Sequence, residues 1–387
     1  MSIIVQKFGG SSVANKDCLF NVAKIIKKYF LQGNKLVVVV SAQGNTTDEL
    51  LEMSKDINPL PSAREMDVLL SAGEQISISL LSMSLQKLEV DSVSLTGWQA
   101  GIQTCDCYGN ARITNVFNER ILKELNKNKV VIVAGFQGIN SNEDITTMGR
   151  GGSDTTAVAI ASSLNAKECQ IYTDVNGVYT SDPQLVINAK RIKEISYDNM
   201  INLADMGAQI LNKRSVELAK KYNVEISVIS SMKGKNAFVG TKVMEVDNNK
   251  NPVSSVTINE NLFLIKIKTS EVFKISDKIK MFPIFESFVF EGYSIIIMNL
   301  DYMESLKNII KNEKNITLDD DISQISVISS NRESNFLNFS KIFKIFESKK
   351  IKYASVKEVI SIIVRKSDGR KVLSVLHDEF CLSDLNK

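Results

Sequence analysis

The stretch that most constrains this chain is Met148-Gly149-Arg150-Gly151-Gly152-Ser153-Asp154-Thr155-Thr156, which runs on into Ala157-Val158-Ala159-Ile160-Ala161-Ser162. Three glycines within four residues let the backbone take positive φ and pass close to a ligand, and Ser153, Asp154 and Thr155 are residue types that cap helix N-termini. The pattern predicts a loop that turns into a helix carried by Ala157 to Ser162. The first N–H groups of such a helix have no intrahelical partner, so they form a site for an anionic oxygen. Arg150 adds a planar, bidentate binder of carboxylate or phosphate. Asp154, four residues on, can orient a cation or a lysine over the same place. Taken alone, the stretch reads equally well as a capped helix after a glycine turn.

Composition removes several chemistries. The single histidine, His377, lies in an amphipathic C-terminal stretch where a surface helix position is expected, so Ser-His-Asp, Cys-His and multi-histidine metal sites are out. The five cysteines, Cys18, Cys105, Cys107, Cys169 and Cys381, are odd in number and contain no C-x-x-C pair. Neither a disulfide framework nor a zinc site follows, and Cys105-x-Cys107 reads as incidental. A net charge of +3, from 47 Lys and Arg against 44 Asp and Glu, gives no basic stripe for nucleic acid. The longest apolar runs, Leu36 to Val40 and Val130 to Ala134, have strand length rather than membrane length. Ile3-Ile4-Val5 is cut short by Gln6-Lys7, so no signal peptide is visible and a cytoplasmic protein is expected. At 387 residues and 44% hydrophobic content, the chain has room for two or three packed domains.

The chain opens with a predicted strand over 2–8, the turn Lys7-Phe8-Gly9-Gly10-Ser11-Ser12 and a helix over about 17–31: another phosphate cradle, with a lysine at the strand's end. No Walker A loop and no G-x-G-x-x-G fingerprint occurs, which disfavours a dinucleotide enzyme. A buried strand over 35–40 leads into the hydroxyl-rich loop Ser41 to Leu50. After Pro59 and Pro61 comes a long helix over 67–88 that contains Gly73-Glu74-Gln75, where a solvent-facing glutamate is the plain alternative to a functional one. A strand over 91–95, the loop Thr96 to Gly101, a helix near 116–126 and a buried strand over 130–133 follow. Strands alternating with helices, with glycine- or serine-rich turns after the strands, indicate a mainly parallel sheet with sites at its C-terminal edge.

Beyond the organising loop, a strand over 169–173 meets Asp174 to Pro183, which is a hairpin or, beside a phosphate site, a nucleoside holder through Thr173, Asp174, Tyr179 and Asp182. Helices at 197–203 and 206–221 and a strand at 224–229 close this domain. Met232 to Pro252 reads as a linker. The remainder, rich in Ile, Phe, Lys, Asn and Ser, shows strand-like runs at 261–268, 292–298, 322–329, 351–355 and 359–364. With helices near 302–312, 335–348 and 370–380, this suits two small βαββαβ units.

Taken together, Lys7 to Ser12, Ser41-Ala42 to Thr46-Thr47-Asp48, Gly73-Glu74-Gln75, Thr96 to Gly101, Gly149 to Asp154, and Thr173-Asp174 to Asp182-Pro183 closely resemble aspartokinase, in order and in spacing across residues 3–230. The resemblance implies an α/β amino-acid kinase fold over residues 1–231, a linker at 232–254, and a pair of α+β ACT-like domains over 255–387 that bind feedback amino acids and build a homodimer. It implies that ATP, with Mg2+, phosphorylates L-aspartate to 4-phospho-L-aspartate, the first step toward lysine, threonine, methionine and diaminopimelate. Lys7 would bridge the β-carboxylate and the transferred phosphoryl group, and Asp154 would orient the cations. Gly9, Gly10, Ser11, Ser41, Gly151 and Gly152 would form the phosphate side. Glu74 would grip the α-ammonium and Arg150 the α-carboxylate, with Thr47 and Ser153 completing the aspartate pocket. Thr173, Asp174, Tyr179, Asp182 and Gln209 would face the nucleotide.

Two departures stand against the family pattern. Gln209 and Asn212 occupy places where the family usually has a phosphate-contacting lysine and a histidine, and Lys213 is expected one helical turn from Gln209, able to cover the same face. The ACT region carries Ser330-Asn331-Arg332-Glu333-Ser334-Asn335-Phe336 in place of a glycine- and proline-containing turn, and its first unit reads as shortened. A paralogue acting on a related amino-dicarboxylate, or a weakly active regulatory protein, is the alternative.

Overall fold

The computed structural model describes residues 2–208, 210–231, 240–246, 253–311, 313, 315–329, 338–342, 353–356 and 359–380. The chain divides into two compact units: Met1–Val178 with Arg191–Ala204 and Gln209–Asp247, and Tyr179–Lys190 with Asp205–Ala208 and Asn248–Lys387. Gln209, the turn at 330–336 and Cys381 lie outside the described residues.

The first unit is built on an eight-stranded sheet. Across it run Glu194–Ser196, Gly240–Met244, Ile226–Ser230, Glu168–Thr173, Ile3–Phe8, Lys35–Val40, Val130–Ala134 and Ser92–Leu95. From Ile226–Ser230 to Ser92–Leu95 every pairing is parallel, in a register that puts Phe8 beside both Val40 and Tyr172, and Val40 beside Ala134. Because the central strands are buried on both faces, they read as unbroken apolar runs: Leu36 to Val40 and Val130 to Ala134 are each fully covered. Each such side chain contributes about 1.5–3 kcal/mol relative to exposure. The parallel register also brings the ends of these strands, and hence the loops after them, to one edge.

The helix Ala63–Lys87 is long and apolar enough to cross a membrane by length and composition, but it is a core helix. Ile78, Leu81 and Leu85 pack with Val22, Ile26, Val38 and Ile132 in one buried cluster. A small sheet of Ile113–Val116, Ile102–Thr104, Gln137–Ile139 and Ile145–Thr147 was not anticipated, because its three- and four-residue strands are too short to show a period. Within it, the Thr96 to Gly101 motif has a steric explanation. A Cβ on Gly97 would lie 2.1 Å from the Gln137 carbonyl oxygen, and Gly101 adopts φ +80 against Phe117.

Several expectations need correction. Residues 240–244, assigned to a linker by their glycine- and lysine-rich surroundings, form a strand of the main sheet antiparallel to Ile226–Ser230, with Thr241 and Val243 buried. No single helix covers 206–221: Tyr197–Asp205 ends before Gly207 at φ +97, and a new helix, Lys213–Tyr222, starts behind Asn212, whose side chain accepts from the Arg214 N–H. Lys213 is therefore the first residue of its helix. His377, expected at the surface, is fully buried, since the apolar face of Lys366–Glu379 carries it against Thr180, whose Oγ lies 2.9 Å from its Nε2. Burial pushes its pKa below the usual histidine value.

The second unit holds two four-stranded antiparallel sheets, as ACT-like α+β domains would. In one, Leu262–Lys268, helix Val272–Ile279, Ile284–Phe290, Tyr293–Asn299, helix Met303–Ile310 and Ile316–Asp319 follow one another as a complete βαββαβ set, so this unit is not shortened in its elements. The other sheet orders Val253–Asn259, Ser323–Ser329, Val359–Val364 and Tyr353–Val356. Its first strand precedes the whole of the other unit in sequence; the expected linker at 232–254 overlaps only its first two residues, and no strand was expected before 261. Tyr179–Lys190 belongs here too: Val186 packs with Val256, Ile325 and Leu376, and the Val256 N–H donates to the Thr180 carbonyl at 2.8 Å.

Candidate active site

Lys7 is the next-to-last residue of the strand Ile3–Phe8, and the loop after it closes on that after Lys35–Val40. The Ser41 N–H donates to the Phe8 carbonyl at 3.2 Å and the Gly44 N–H to the Gly10 carbonyl at 3.1 Å. This approach requires glycine at position 10, because a Cβ there would sit 2.7 Å from the Ala42 carbonyl oxygen. A cavity of about 630 Å³ opens at this edge, and Lys7, Gly9, Gly10, Ser41 and Thr47 line it from one side of the sequence.

The organising loop supplies Arg150, Gly151, Gly152 and Ser153 to the same cavity. Gly149 and Gly151 take φ +73 and +72. The helix begins earlier than expected, at Gly152, with Gly151 in the N-cap position and no side-chain cap. Ser153 and Asp154 thus lie inside the first turn, where their side chains are free for other partners. Asp154 meets Lys7, Oδ1 to Nζ at 2.7 Å, with the two side chains 10% and 13% exposed. An acidic side chain in the first turn complements the helix dipole, and the ion pair fixes the position of the Lys7 Nζ. Asn212 seats the loop: its Nδ2 donates to the Arg150 carbonyl at 2.9 Å, and a Cβ on Gly151 would collide with it. Arg150 itself is exposed.

Glu74 is not solvent-facing. It is 3% exposed, its Oε1 accepts from the Ala42 N–H at 3.0 Å, and its Oε2 is buried without a hydrogen-bond partner among the described residues. Desolvation lifts its pKa to about 7, opposed by the Ala42 amide. The helix can bring it there because Gly73 lets the backbone close on Ala42, whose Cβ would be 2.8 Å from a Cβ at position 73. A buried carboxylate with one unpaired oxygen, bordering a cavity, is suited to a cationic ligand group.

Not every anticipated residue joins this cavity. Ser11 is exposed, and its neighbour Ser12 instead bonds Ser231 at 2.9 Å, which in turn donates to the Thr173 carbonyl. Thr173 ends the strand beside Ile3–Phe8 and Asp174 follows it, with Thr173 Oγ donating to Asp174 at 3.0 Å, and neither lines the cavity. Tyr179 and Asp182 fall in the second compact unit, where the Asp182 carboxylate accepts from the Gln184 N–H at 2.8 Å. Among the described residues no cluster of three metal-ligating side chains occurs. Sequence reading missed Asp67, Gly109, Phe136 and Thr147, which also border the cavity. Only Asp67 carried a signal, an acidic residue seven positions before Glu74 on one predicted helix.

Comparison with known proteins identifies the family. A model of the amino acid kinase family matches residues 2–230. An aspartokinase of Bacillus sp. (strain MGA3) is 39% identical over 99% of this chain and 98% of its own, and aspartokinase 2 of Bacillus subtilis (strain 168) is 39% identical over the same shares. Among solved structures, E. coli aspartokinase III in complex with aspartate and ADP superposes with a TM-score of 0.79 at 22% identity, covering 97% of this chain and 99% of that one. The chain belongs to the amino acid kinase family and, within it, to the aspartokinases.

Proposed function

We propose that this kinase transfers the γ-phosphoryl group of ATP to the β-carboxylate of L-aspartate, giving 4-phospho-L-aspartate and ADP. The observation that carries the reading is Glu74, a buried carboxylate with an unsatisfied oxygen, sharing one cavity with Arg150 and with Lys7, which Asp154 holds. An α-amino acid offers the two complements: its ammonium to Glu74, its carboxylate to Arg150, with Thr47 and Ser153 as further polar contacts.

The acceptor is already ionised near neutral pH, so the reaction needs no general base. One β-carboxylate oxygen forms a bond to the γ-phosphorus while the bond to the β,γ-bridging oxygen breaks and its electrons leave with ADP. Charge spreads over the equatorial oxygens, and catalysis consists of alignment and preorganised positive charge. Lys7, held by Asp154, supplies that charge between acceptor and phosphoryl group. Gly9, Gly10, Gly151 and Gly152 let backbone N–H groups approach the phosphates, with Ser41 beside them. Mg2+, when bound, would neutralise the phosphate oxygens; with few acidic neighbours it would be held mainly by the phosphates, with Asp154 as the protein carboxylate. Thr173 and Asp174, at the end of the strand that pairs with Ile3–Phe8, are proposed to face the nucleotide.

The same reading takes residues 1–231 as the catalytic part and 255–387 as an ACT-like regulatory and dimerising part of a cytoplasmic homodimer, acting at the entry to lysine, threonine, methionine and diaminopimelate synthesis. An ADP-release assay over a panel of amino acids tests it. Aspartate should be the preferred acceptor, with hydroxylamine trapping the acyl phosphate; release of ADP with another amino acid but not with aspartate would overturn it.

A further inference from the structure

Asp67 borders the cavity but has no part in the chemistry above. It lies in the second turn of helix Ala63–Lys87 and is completely buried. Its carboxylate receives donors from two other segments. The Gly109 N–H lies 3.0 and 2.9 Å from its two oxygens, the Thr147 N–H donates to Oδ2 at 2.9 Å, and the Thr147 hydroxyl donates to Oδ1 at 2.6 Å. A buried carboxylate is costly unless its oxygens are saturated in this way, and removing one donor exposes the cost.

Both donor segments lead to Arg150. Thr147 ends the strand Ile145–Thr147, three residues before it. The Gly149 turn packs on the residue 109–110 loop so closely that a Cβ would stand 3.2 Å from Asn110 Oδ1 and 3.3 Å from the Gly109 carbonyl. The Ala111 N–H donates to the Thr147 carbonyl at 2.8 Å and closes the assembly. On the helix, Asp67 and Glu74 are seven residues apart, two turns along one face.

We infer that Asp67 is a positioning residue that sets where Arg150 stands relative to Glu74. One rigid helix then fixes the distance between the groups that receive an amino acid's carboxylate and its ammonium. A glycine-rich loop has little stiffness of its own, and misplacement by about 1 Å is enough to cost up to ~10²-fold. The inference rests on the aspartate pocket proposed above.

Asp67→Asn tests it, because all the groups around this side chain are donors and an amide must turn its own NH2 toward some of them. The aspartate KM should rise about tenfold while the ATP KM stays within about twofold, a split that a general loss of fold would not produce. In an Arg150→Ala background the same change should add less than about twofold, since its effect passes through Arg150. Thr147→Val removes only the hydroxyl donor and should move the aspartate KM in the same direction by less; it decides the matter if Asp67→Asn does not fold. Equal rises in both KM values, an unchanged aspartate KM, or a full effect without Arg150 would overturn the positioning role. Should the wild-type enzyme prefer another amino acid, the aspartate reading falls, and the KM split measured with that amino acid still decides on Asp67.

Discussion

The cavity edge of the first unit and the paired sheets of the second are both well packed, but they are constrained in different ways. At the cavity, single atoms decide. Gly10 faces the Ala42 carbonyl, Gly73 the Ala42 methyl, Gly135 the Ser153 side chain and Gly151 Asn212, each with less than 3 Å for a Cβ. Charged or amide side chains are buried there and held by specific partners, as Lys7 is by Asp154 and Asp67 by Thr147. In the second unit the cores consist of Ile, Val, Leu, Phe and Met, for instance Phe263, Ile265, Ile296 and Leu306 around one sheet, where one apolar residue can replace another of similar volume. The first kind of constraint writes motifs; the second writes only a hydrophobic pattern.

This contrast breaks down if the cavity tolerates change or if the sheets do not. The largest effect is expected from Lys7→Ala: turnover should drop by ~10²-fold or more, with circular dichroism unchanged, because a preorganised charge is lost from the phosphoryl transfer. Near-normal turnover would remove Lys7 from the mechanism. In the second unit, Ile265→Ala, at a fully buried strand position, should instead cost about 2–5 kcal/mol in a urea melt and leave kcat of the folded enzyme within about twofold. Next in size is Arg150→Ala. Losing a charge-assisted, bidentate contact should raise the aspartate KM by about 10–100-fold and the ATP KM far less. If ATP binding alone suffers, Arg150 belongs to the nucleotide.

Glu74 gives a smaller, pH-dependent effect. Its pKa of about 7 means that the free enzyme carries it mostly protonated below neutrality, whereas an ammonium ligand needs the carboxylate. The aspartate KM should therefore rise about tenfold per pH unit below 7, and Glu74→Gln should flatten that slope while raising KM at pH 8. The stability effect has the opposite sense. A carboxyl group whose folded pKa is raised favours the folded state at low pH, and this contribution is lost as pH climbs from the unfolded value near 4.5 through about 7. Thermal melts of the ligand-free enzyme should show that loss between pH 5 and 8, and Glu74→Gln should remove it.

What could be read from the chain follows the same division. The strands and glycine turns of the first unit, and the grouping of Lys7, Glu74, Arg150 and Asp154, were visible because sterics and charge leave few residue types for those positions. Asp67 was not singled out, since a carboxylate satisfied by distant backbone N–H groups looks in sequence like any acidic residue near the start of a helix. Asn212 was noted only as a departure from a family habit, and its bond to the Arg150 carbonyl depends on a residue 62 positions away. The strand Gly240–Met244 was hidden by glycine- and lysine-rich flanks, and His377 by an amphipathic pattern that its Thr180 partner overrides. In the second unit, helix Val272–Ile279 and strand Ile284–Phe290 went unassigned, because each is only seven or eight residues long and no side chain caps the helix.

The smallest effect is expected from feedback amino acids. In an ACT dimer, as the family resemblance implies, an effector's charged ends are met mainly by backbone N–H and C=O groups in a turn that glycine and proline allow. The corresponding sequence here has Glu333 and Asn335 at that turn, and Phe336 adds bulk; these three residues lie outside the described part of the structure. A carboxylate at Glu333 would repel the effector's own carboxylate. Apolar residues nevertheless recur at Phe336, Phe339, Phe343 and Phe346, and within the described helical residues 338–342 Ile342 is fully buried and Phe339 packs on the core of Val253, Val256 and Leu373. Packing of this unit should thus persist while coupling to the active site falls below the usual ~1–3 kcal/mol. Millimolar lysine and threonine, singly and together, should leave more than half the activity. Stronger inhibition would mean that the hydrophobic pattern of the second unit conceals a site as demanding as the cavity of the first.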